Sequence, residues 1–164
     1  MGMPVRAKGS CVKRILLPVL LVIHLLAAAA ELQPGATLPA IKLKDQHDKP
    51  VAIARDTKLV FFSAEMDGSR LMTKALAALP PTILKDRNAI YIADISDMPG
   101  IVSIIFAVPK MQREPYPVAL IREAKEGASL PRKPGAVTVL TIDAGRVSGI
   151  DFATDMQQIK HHLK

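Results

Sequence analysis

The sequence predicts an α/β protein with a mixed central sheet. Residues 59–62 and 89–95 are short, continuous apolar runs, which is typical of strands buried on both faces of a sheet. An amphipathic helix between these runs completes a β-α-β unit. A third run, 136–142, leads through a tight turn at 143–146 into a further strand, which predicts an antiparallel hairpin.

The N-terminus has the three parts of a secretory signal peptide. Basic residues precede position 15 without any acid, an apolar stretch follows, and four alanines stand before Glu31. The alternative is an uncleaved inner-membrane anchor, but a spanning helix needs about 20 apolar residues, and the run 15–30 is shorter. We therefore expect residues 1–30 to be removed and residues 31–164 to form one periplasmic or secreted domain, without stable membrane insertion.

Removal of the leader changes the composition. Four of the 22 Lys and Arg and none of the 15 Asp and Glu lie in it, which leaves 18 against 15 and a net charge of +3. The single cysteine, Cys11, also lies in the leader, so no disulfide is expected. A weak, dispersed charge without tryptophan gives no support to nucleic-acid binding.

The N-terminal half is predicted to open with a β-hairpin. Residues 41–43 and 51–53 alternate between apolar and polar side chains on either side of a turn cluster at 45–50. After the first buried strand, Asp67 or Ser69 is the predicted cap of a helix that ends before Pro80-Pro81.

The segment 98–108 is unusual because Ser103 is its one polar side chain. We interpret it as a helix capped by Ser96 or Asp97 with Pro99 near its first position, although its β-branched residues keep a strand possible. A helix that is apolar all round is buried or covered by a partner. We therefore expect that this segment is not a surface element.

The remaining pattern predicts three more elements. Residues 118–121 form a short strand, 123–135 a polar connection, and the C-terminal residues a helix capped by Thr154 or Asp155.

Two motifs give the chain a family resemblance. The first runs from Gly35 to Pro39 and continues through the predicted hairpin, and the second is the turn Ile142-Asp143-Ala144-Gly145-Arg146-Val147. Both resemble segments of the peroxiredoxin and TlpA branch of the thioredoxin superfamily. The resemblance implies a thioredoxin-like three-layer α/β/α sandwich with a mixed central sheet and an N-terminal β-hairpin.

The catalytic positions of that branch are not matched. Where the resemblance implies Cys-x-x-Cys at the start of the first long helix, this chain has Met66-Asp67-Gly68-Ser69, followed by Arg70. Ala136 or Val137 stands where the branch has a cis-proline. A thioether cannot form the nucleophilic thiolate, so thiol-disulfide exchange and peroxidase activity are not expected.

Residues 66–70 are also considered for anion binding, and the rest of the chain for metal and cofactor binding. Met66, Asp67, Ser69 and Arg70 form a candidate degenerate site in which a helix N-terminus could bind an anion, although ordinary helix capping explains Asp67 and Ser69 better. No metal is predicted, because Asp45, His47 and Asp48 read as turn residues, and the methionines read as core residues rather than Cu(I) ligands. No cofactor is predicted, since the chain has no dinucleotide or phosphate-loop motif.

Two functions remain as hypotheses. The first is a non-catalytic module that binds a periplasmic protein or peptide through an apolar surface, for which the candidate residues are Phe62, Met66, Met98, Ile104 and Met111. The second is a cysteine-independent enzyme or redox accessory protein that uses Asp67, Ser69 and Arg70.

Overall fold

The computed structural model describes residues 31–54 and 56–164, together with Gly2. The remainder of the predicted leader, including Cys11, lies outside these residues. Seven strands are present in the described chain: β1 (Lys42–Asp45), β2 (Pro50–Ala52), β3 (Leu59–Ser63), β4 (Ala89–Asp94), β5 (Ala119–Ile121), β6 (Val137–Asp143) and β7 (Arg146–Ala153). The helices are α1 (Met66–Ala77), α2 (Ile83–Asp86), α3 (Gly100–Val102), a π-helix (Ser103–Ala107), α4 (Val108–Met111), a 3₁₀-helix (Ala124–Gly127) and α5 (Met156–His162).

The strands form one mixed sheet in the order β2-β1-β5-β4-β3-β6-β7. The unit β3-α1-β4 is parallel, as predicted from the two apolar runs, and Phe61 lies opposite Tyr91. Both predicted hairpins, β1-β2 and β6-β7, are antiparallel. The predicted α/β class and its mixed central sheet are therefore confirmed.

Strand β3 separates two hydrophobic cores. Phe61 belongs to the core under α1 and α5, and Phe62 belongs to the core on the opposite face. Both rings are fully buried. This alternation follows from the two-residue period of a strand, and it explains why the run shows no polar face.

The second outer layer of the sandwich is thin. The 3₁₀-helix and the N-terminal segment, residues 32–39, cover this face, and Leu32 donates a backbone hydrogen bond to Ser129 at 2.8 Å. The N-terminal segment also lies against the β6-β7 turn, where the Leu38 N–H donates to the Gly145 carbonyl at 3.1 Å. The two motifs that carry the family resemblance thus pack against each other.

The segment 98–108 corrects two expectations. Its residues 100–108 belong to one continuous helical run, 100–111, so the strand alternative is wrong. It is also on the surface, because only its inner side packs on the first core, through Met98, Val108 and Met111. Its outer side exposes large apolar side chains: Ile101 (71%), Val102 (38%), Ile104 (71%), Ile105 (54%) and Phe106 (68%).

The middle of this run widens into a π-helix just before Pro109. The Val108 N–H donates to the Ser103 carbonyl, five residues back. Proline has no N–H to donate and its ring crowds the carbonyl four residues earlier, which accounts for a wider turn at this position. π-turns occur most often at functional sites.

Two of the predicted helix caps are wrong. Helix α1 begins at Met66 after Glu65, so Asp67 and Ser69 lie inside its first turn, and Ser96 and Asp97 precede α3 by several residues. The cap of α5 is confirmed, since the Asp155 carboxylate accepts hydrogen bonds from the Gln157 and Gln158 N–H groups. No helix among residues 31–54 and 56–164 has the length and hydropathy needed to cross a membrane.

Gln46 joins the first hairpin to the start of β5. Its side chain is 1% exposed, donates from Nε2 to the Tyr116 carbonyl at 2.8 Å, and accepts at Oε1 from the Val118 N–H at 2.8 Å. In addition, Gln112 donates from Nε2 to the Gln46 carbonyl at 2.9 Å. A residue predicted only as part of a turn therefore fixes the chain around Tyr116.

We expect Gln46→Leu to lower the free energy of unfolding by about 2–4 kcal/mol. The substitution leaves the Tyr116 carbonyl and the Val118 N–H buried without partners, each at a cost of about 1–3 kcal/mol. Urea unfolding followed by circular dichroism measures the change. The exposed Gln33→Leu is the control, expected within about 0.5 kcal/mol of the parent, and equal stability of the two variants would contradict the role of Gln46.

Candidate functional site

A cavity of about 250 Å³ lies between α1 and the helical run 100–111. Its floor is formed by Tyr91 of β4 and by Tyr116 and Val118, which lie just before β5. Two further lining residues, Met66 and Ser69, stand where the family resemblance implies the two cysteines. This position makes it the candidate functional site.

Two helix faces form the walls. Residues at helical spacing on α1 line one side, and residues at the same spacing on the following helical run line the other. The α1 side chains are Met66, Ser69, Arg70, Thr73 and Lys74. The facing side chains are Ala107, Lys110, Met111 and Glu114, with Met98 beside them.

Three hydroxyl groups connect α1 to the sheet. The Oγ atoms of Ser63 and Ser69 are 2.9 Å apart, and Ser63 Oγ is 3.0 Å from Tyr91 Oη. Ser63 ends β3 and Tyr91 lies in the middle of the neighbouring strand β4, and both are buried, so this chain of hydrogen bonds anchors the first turn of α1. Ser69 occupies the second position of the missing Cys-x-x-Cys.

No base is hydrogen-bonded to the Ser69 hydroxyl among residues 31–54 and 56–164. Its hydrogen-bond partner is another hydroxyl, Ser63, and that group in turn contacts the phenol of Tyr91. Burial raises the pKa of Tyr91, with smaller opposing effects from hydrogen bonds of Ser63 and Ser69. The phenol therefore stays protonated at neutral pH, and the arrangement does not meet the requirement of serine nucleophilic catalysis.

Tyr116 is the unusual member of the floor. Its residue exposure is 5%, and its Oη has no hydrogen-bond partner among the described residues. Burial raises the pKa of Tyr116 above its ordinary value, the negative charge and the proximity of the Glu114 side chain raise it further, and the nearby Thr73 hydroxyl lowers it. A buried, uncharged hydroxyl without a partner is energetically unfavourable and is available to a bound molecule.

Asp67 and Arg70 interact with each other rather than with the cavity floor. Arg70 Nη1 donates to Asp67 Oδ1 at 3.3 Å, and both side chains are largely exposed. Such a pair contributes little to stability. Because the Arg70 charge has a counter-ion, the predicted anion pocket formed by Asp67, Ser69 and Arg70 finds no support in this geometry.

Gly68 allows α1 to approach the loop before β6. A Cβ at this position would lie 2.7 Å from the Ala136 carbonyl oxygen. Ala136 thus borders the start of α1, at the place where the resemblance implies a cis-proline. The described residues contain no cis peptide bond.

The residues proposed for a binding surface fall into three groups. Met66, Met98 and Met111 line the cavity. Ile104 lies outside it, on the exposed side of the helical run. Phe62 is a correction, because its ring is fully buried in the opposite core with the Arg132 guanidinium 5.3 Å from its centroid, so it cannot form part of a surface.

The described residues also contain no cluster of three His, Cys, Asp or Glu side chains that could hold a metal. Asp45 Oδ1 instead accepts from the N–H groups of His47 and Lys49, as expected for a turn residue. Asp48 pairs with Arg122 at 2.9 Å. Met72, one of the methionines interpreted as core residues, is fully buried in the core.

The sequence analysis missed Ser63, Tyr91 and Tyr116. A usable signal was present, because Ser63 is the one polar residue at the end of an apolar strand, and the chain has only two tyrosines. Neither observation predicts that a cavity separates α1 from the helical run 100–111 above Tyr91 and Tyr116. That separation depends on the packing of the whole sheet.

Comparisons with known proteins agree with the fold. No family profile and no curated protein match this chain. Among solved structures, it is similar to the peroxidoxin BcpB of Mycobacterium tuberculosis, with a TM-score of 0.55 and 17% identity over 81% of this chain and 95% of that one. A peroxiredoxin-like protein of Aquifex aeolicus gives a TM-score of 0.51 and 10% identity over 82% and 90% of the two chains.

A third similar structure is the thioredoxin domain of a thiol-disulfide oxidoreductase from Bacteroides vulgatus, with a TM-score of 0.50, 12% identity, and coverage of 82% and 100%. At these identities the similarity concerns the fold. The predicted resemblance is confirmed at that level: the described chain has a thioredoxin-like α/β fold, and the predicted N-terminal hairpin is present as β1-β2.

Proposed function

We propose that this chain is an exported thioredoxin-like module that binds an apolar segment of a partner protein and performs no thiol chemistry. The observation that carries the proposal is the apolar patch, defined as the exposed side chains of Ile101, Val102, Ile104, Ile105 and Phe106. The patch lies on the same helical run that forms one wall of the cavity.

The energetics favour covering the patch. Complete burial of one Ile or Phe side chain stabilises by about 1.5–3 kcal/mol relative to full exposure. Ile101, Ile104 and Phe106 are each about two-thirds exposed or more. Contiguous apolar surface of this kind marks interaction sites in soluble proteins.

The absence of a thiol at the site supports binding over redox catalysis. Met66 and Ser69 stand at the two positions of the implied Cys-x-x-Cys, and the single cysteine is Cys11. Thiol-disulfide exchange requires a thiolate. Export rests on the basic, apolar and small-residue pattern of residues 1–30.

The cysteine-independent enzyme is the weaker candidate. It depends on Asp67, Ser69 and Arg70, of which Asp67 and Arg70 pair with each other and Ser69 contacts only hydroxyl groups. The supporting observation for this candidate is the proximity of Ser69 to the cavity. Among the described residues, the hydrogen-bond partner of the Ser69 hydroxyl is Ser63, so neither a base nor a cation is in contact with it to provide a catalytic step.

A double variant tests the apolar patch. We expect Ile104→Asp with Phe106→Asp to reduce capture of the partner from periplasmic extract by at least tenfold, because two charges would have to be desolvated in the contact. Both residues are exposed, so stability should change by no more than about 0.5 kcal/mol per site. Quantitative mass spectrometry of the captured proteins measures the loss.

The control for this experiment is Lys85→Glu on α2, which makes the same change of −2 in net charge. Lys85 is exposed and does not line the cavity. Capture should survive this change. Retention of the same captured proteins by the double variant would contradict the proposal.

The two tyrosines provide a test of the missing base. Both pKa values lie above the ordinary 10.0, so the folded state favours the neutral phenols. The associated stability is fully present below pH 10 and is lost as the pH rises beyond it. We expect phenolate absorbance at 295 nm to develop well above pH 10 in the folded protein, together with unfolding.

The reference is the same chain in concentrated urea, where both phenols should ionise near pH 10. Tyr91 and Tyr116 are the only tyrosines in the sequence, so the signal has no other source. Ionisation of either phenol in the folded protein near neutral pH would contradict the account and supply the base that Ser69 lacks.

A further inference from the structure

The cavity is smaller than most ligand pockets and fits one residue of a bound chain. Its volume of about 250 Å³ corresponds to roughly eight water molecules at about 30 Å³ each. That space accommodates an apolar side chain of the size of Leu with its adjoining main-chain atoms. The apolar patch can bind the other residues of a peptide, while the cavity determines which kind of residue enters it.

The apolar part of the cavity is built from methionine. Met66 reaches it from α1, and Met98 and Met111 reach it from the opposite side. Methionine side chains are flexible and polarizable, so they adapt to different apolar groups. The walls therefore favour an apolar side chain without strict selection of its shape.

Two lysines at the cavity provide positive charge without a counter-ion. Lys74 on α1 and Lys110 on α4 both line it, from opposite helical walls. Neither has an acidic partner within 4.0 Å among the described residues, whereas Arg70 is paired with Asp67. The free charges are complementary to a carboxylate.

The polar floor suits a main-chain N–H. Tyr116 Oη is buried, has no hydrogen-bond partner within the part of the chain that the structure describes, and its oxygen can accept a hydrogen bond. Glu114 also lines the cavity, and its charge influences Tyr116. A ligand carboxylate is repelled from that side and directed toward the lysines, while a peptide N–H is attracted to it.

From this combination we propose that the cavity binds the C-terminal residue of a partner polypeptide, an inference that rests on the proposed function. The side chain of that residue packs among the three methionines, its carboxylate contacts Lys74 and Lys110, and its N–H faces Tyr116. An internal residue of a polypeptide has no free carboxylate for the two lysines. A small charged metabolite has no apolar side chain beside its charge to pack among the methionines.

The test compares two peptides that differ in one group. Protein purified as cells produce it is titrated with a fluorescent five-residue peptide that ends in Leu, either as the free acid or as the C-terminal amide, and binding is followed by fluorescence anisotropy. We expect the free acid to bind at least tenfold more tightly. The difference should shrink at high salt because the ion pairs are partly exposed.

Substitution of the lysines checks the source of the preference. Lys74→Met with Lys110→Met should bring the two peptides to within about twofold of each other, while Lys85→Met should leave the tenfold difference intact. Lys74 and Lys110 are exposed, so these variants should fold normally.

Three results would overturn the proposal. Equal binding of acid and amide by the parent protein, or binding of neither, overturns C-terminal recognition. Survival of the preference in the double lysine variant also overturns it. These results are distinct from failure of the proposed function, which is measured by partner capture with the Ile104→Asp and Phe106→Asp variant.

Discussion

The structure depends on the burial of strand β3 on both faces. Val60, Phe61 and Phe62 are fully buried, and the strand pairs in parallel with β4 and antiparallel with β6. Because successive side chains point to opposite faces, Phe61 and Phe62 anchor the two cores. Ser63 ends the strand beneath the first turn of α1 and is hydrogen-bonded to Ser69 and Tyr91. A disturbance of β3 would therefore affect both cores and the site together.

The site lies at the start of α1 in a thioredoxin-like fold, and Met66 and Ser69 stand where the family resemblance implies two cysteines. The hydroxyl network and the close approach of Gly68 to Ala136 preserve the position of α1, although Met66 and Ser69 provide no reactive sulfur or activated oxygen. Beside it, Gln46 holds the chain at Tyr116 and Val118, and the helical run 100–111 adds exposed apolar surface. The binding proposal rests on this exposed apolar surface beside the cavity, together with the absence of cysteine at positions 66 and 69.

Much of the fold was predictable because strand and helix periodicity are local properties. The apolar runs at β3, β4 and β6, the tight turn before Arg146, and the Asp155 cap all depend on residues close in sequence. The exposed apolar patch was mispredicted because its burial depends on how much of the sheet face other elements already occupy. Met98, Val108 and Met111, on the inner side of the patch-bearing segment, pack on the first core. Ile104 and Phe106 are left exposed, and the local sequence does not show this. The partnerless hydroxyl of Tyr116 is likewise a property of the assembled fold.

The most direct test of the central claim is photo-crosslinking in the living cell. A photoreactive phenylalanine analogue incorporated at position 106 places the crosslinker on the apolar patch, and the same analogue at position 85 provides a surface reference outside the cavity. We predict one discrete crosslinked species between this chain and a second protein from position 106 and none from position 85. Equal or absent crosslinking at the two positions would contradict the claim that the apolar patch binds a partner.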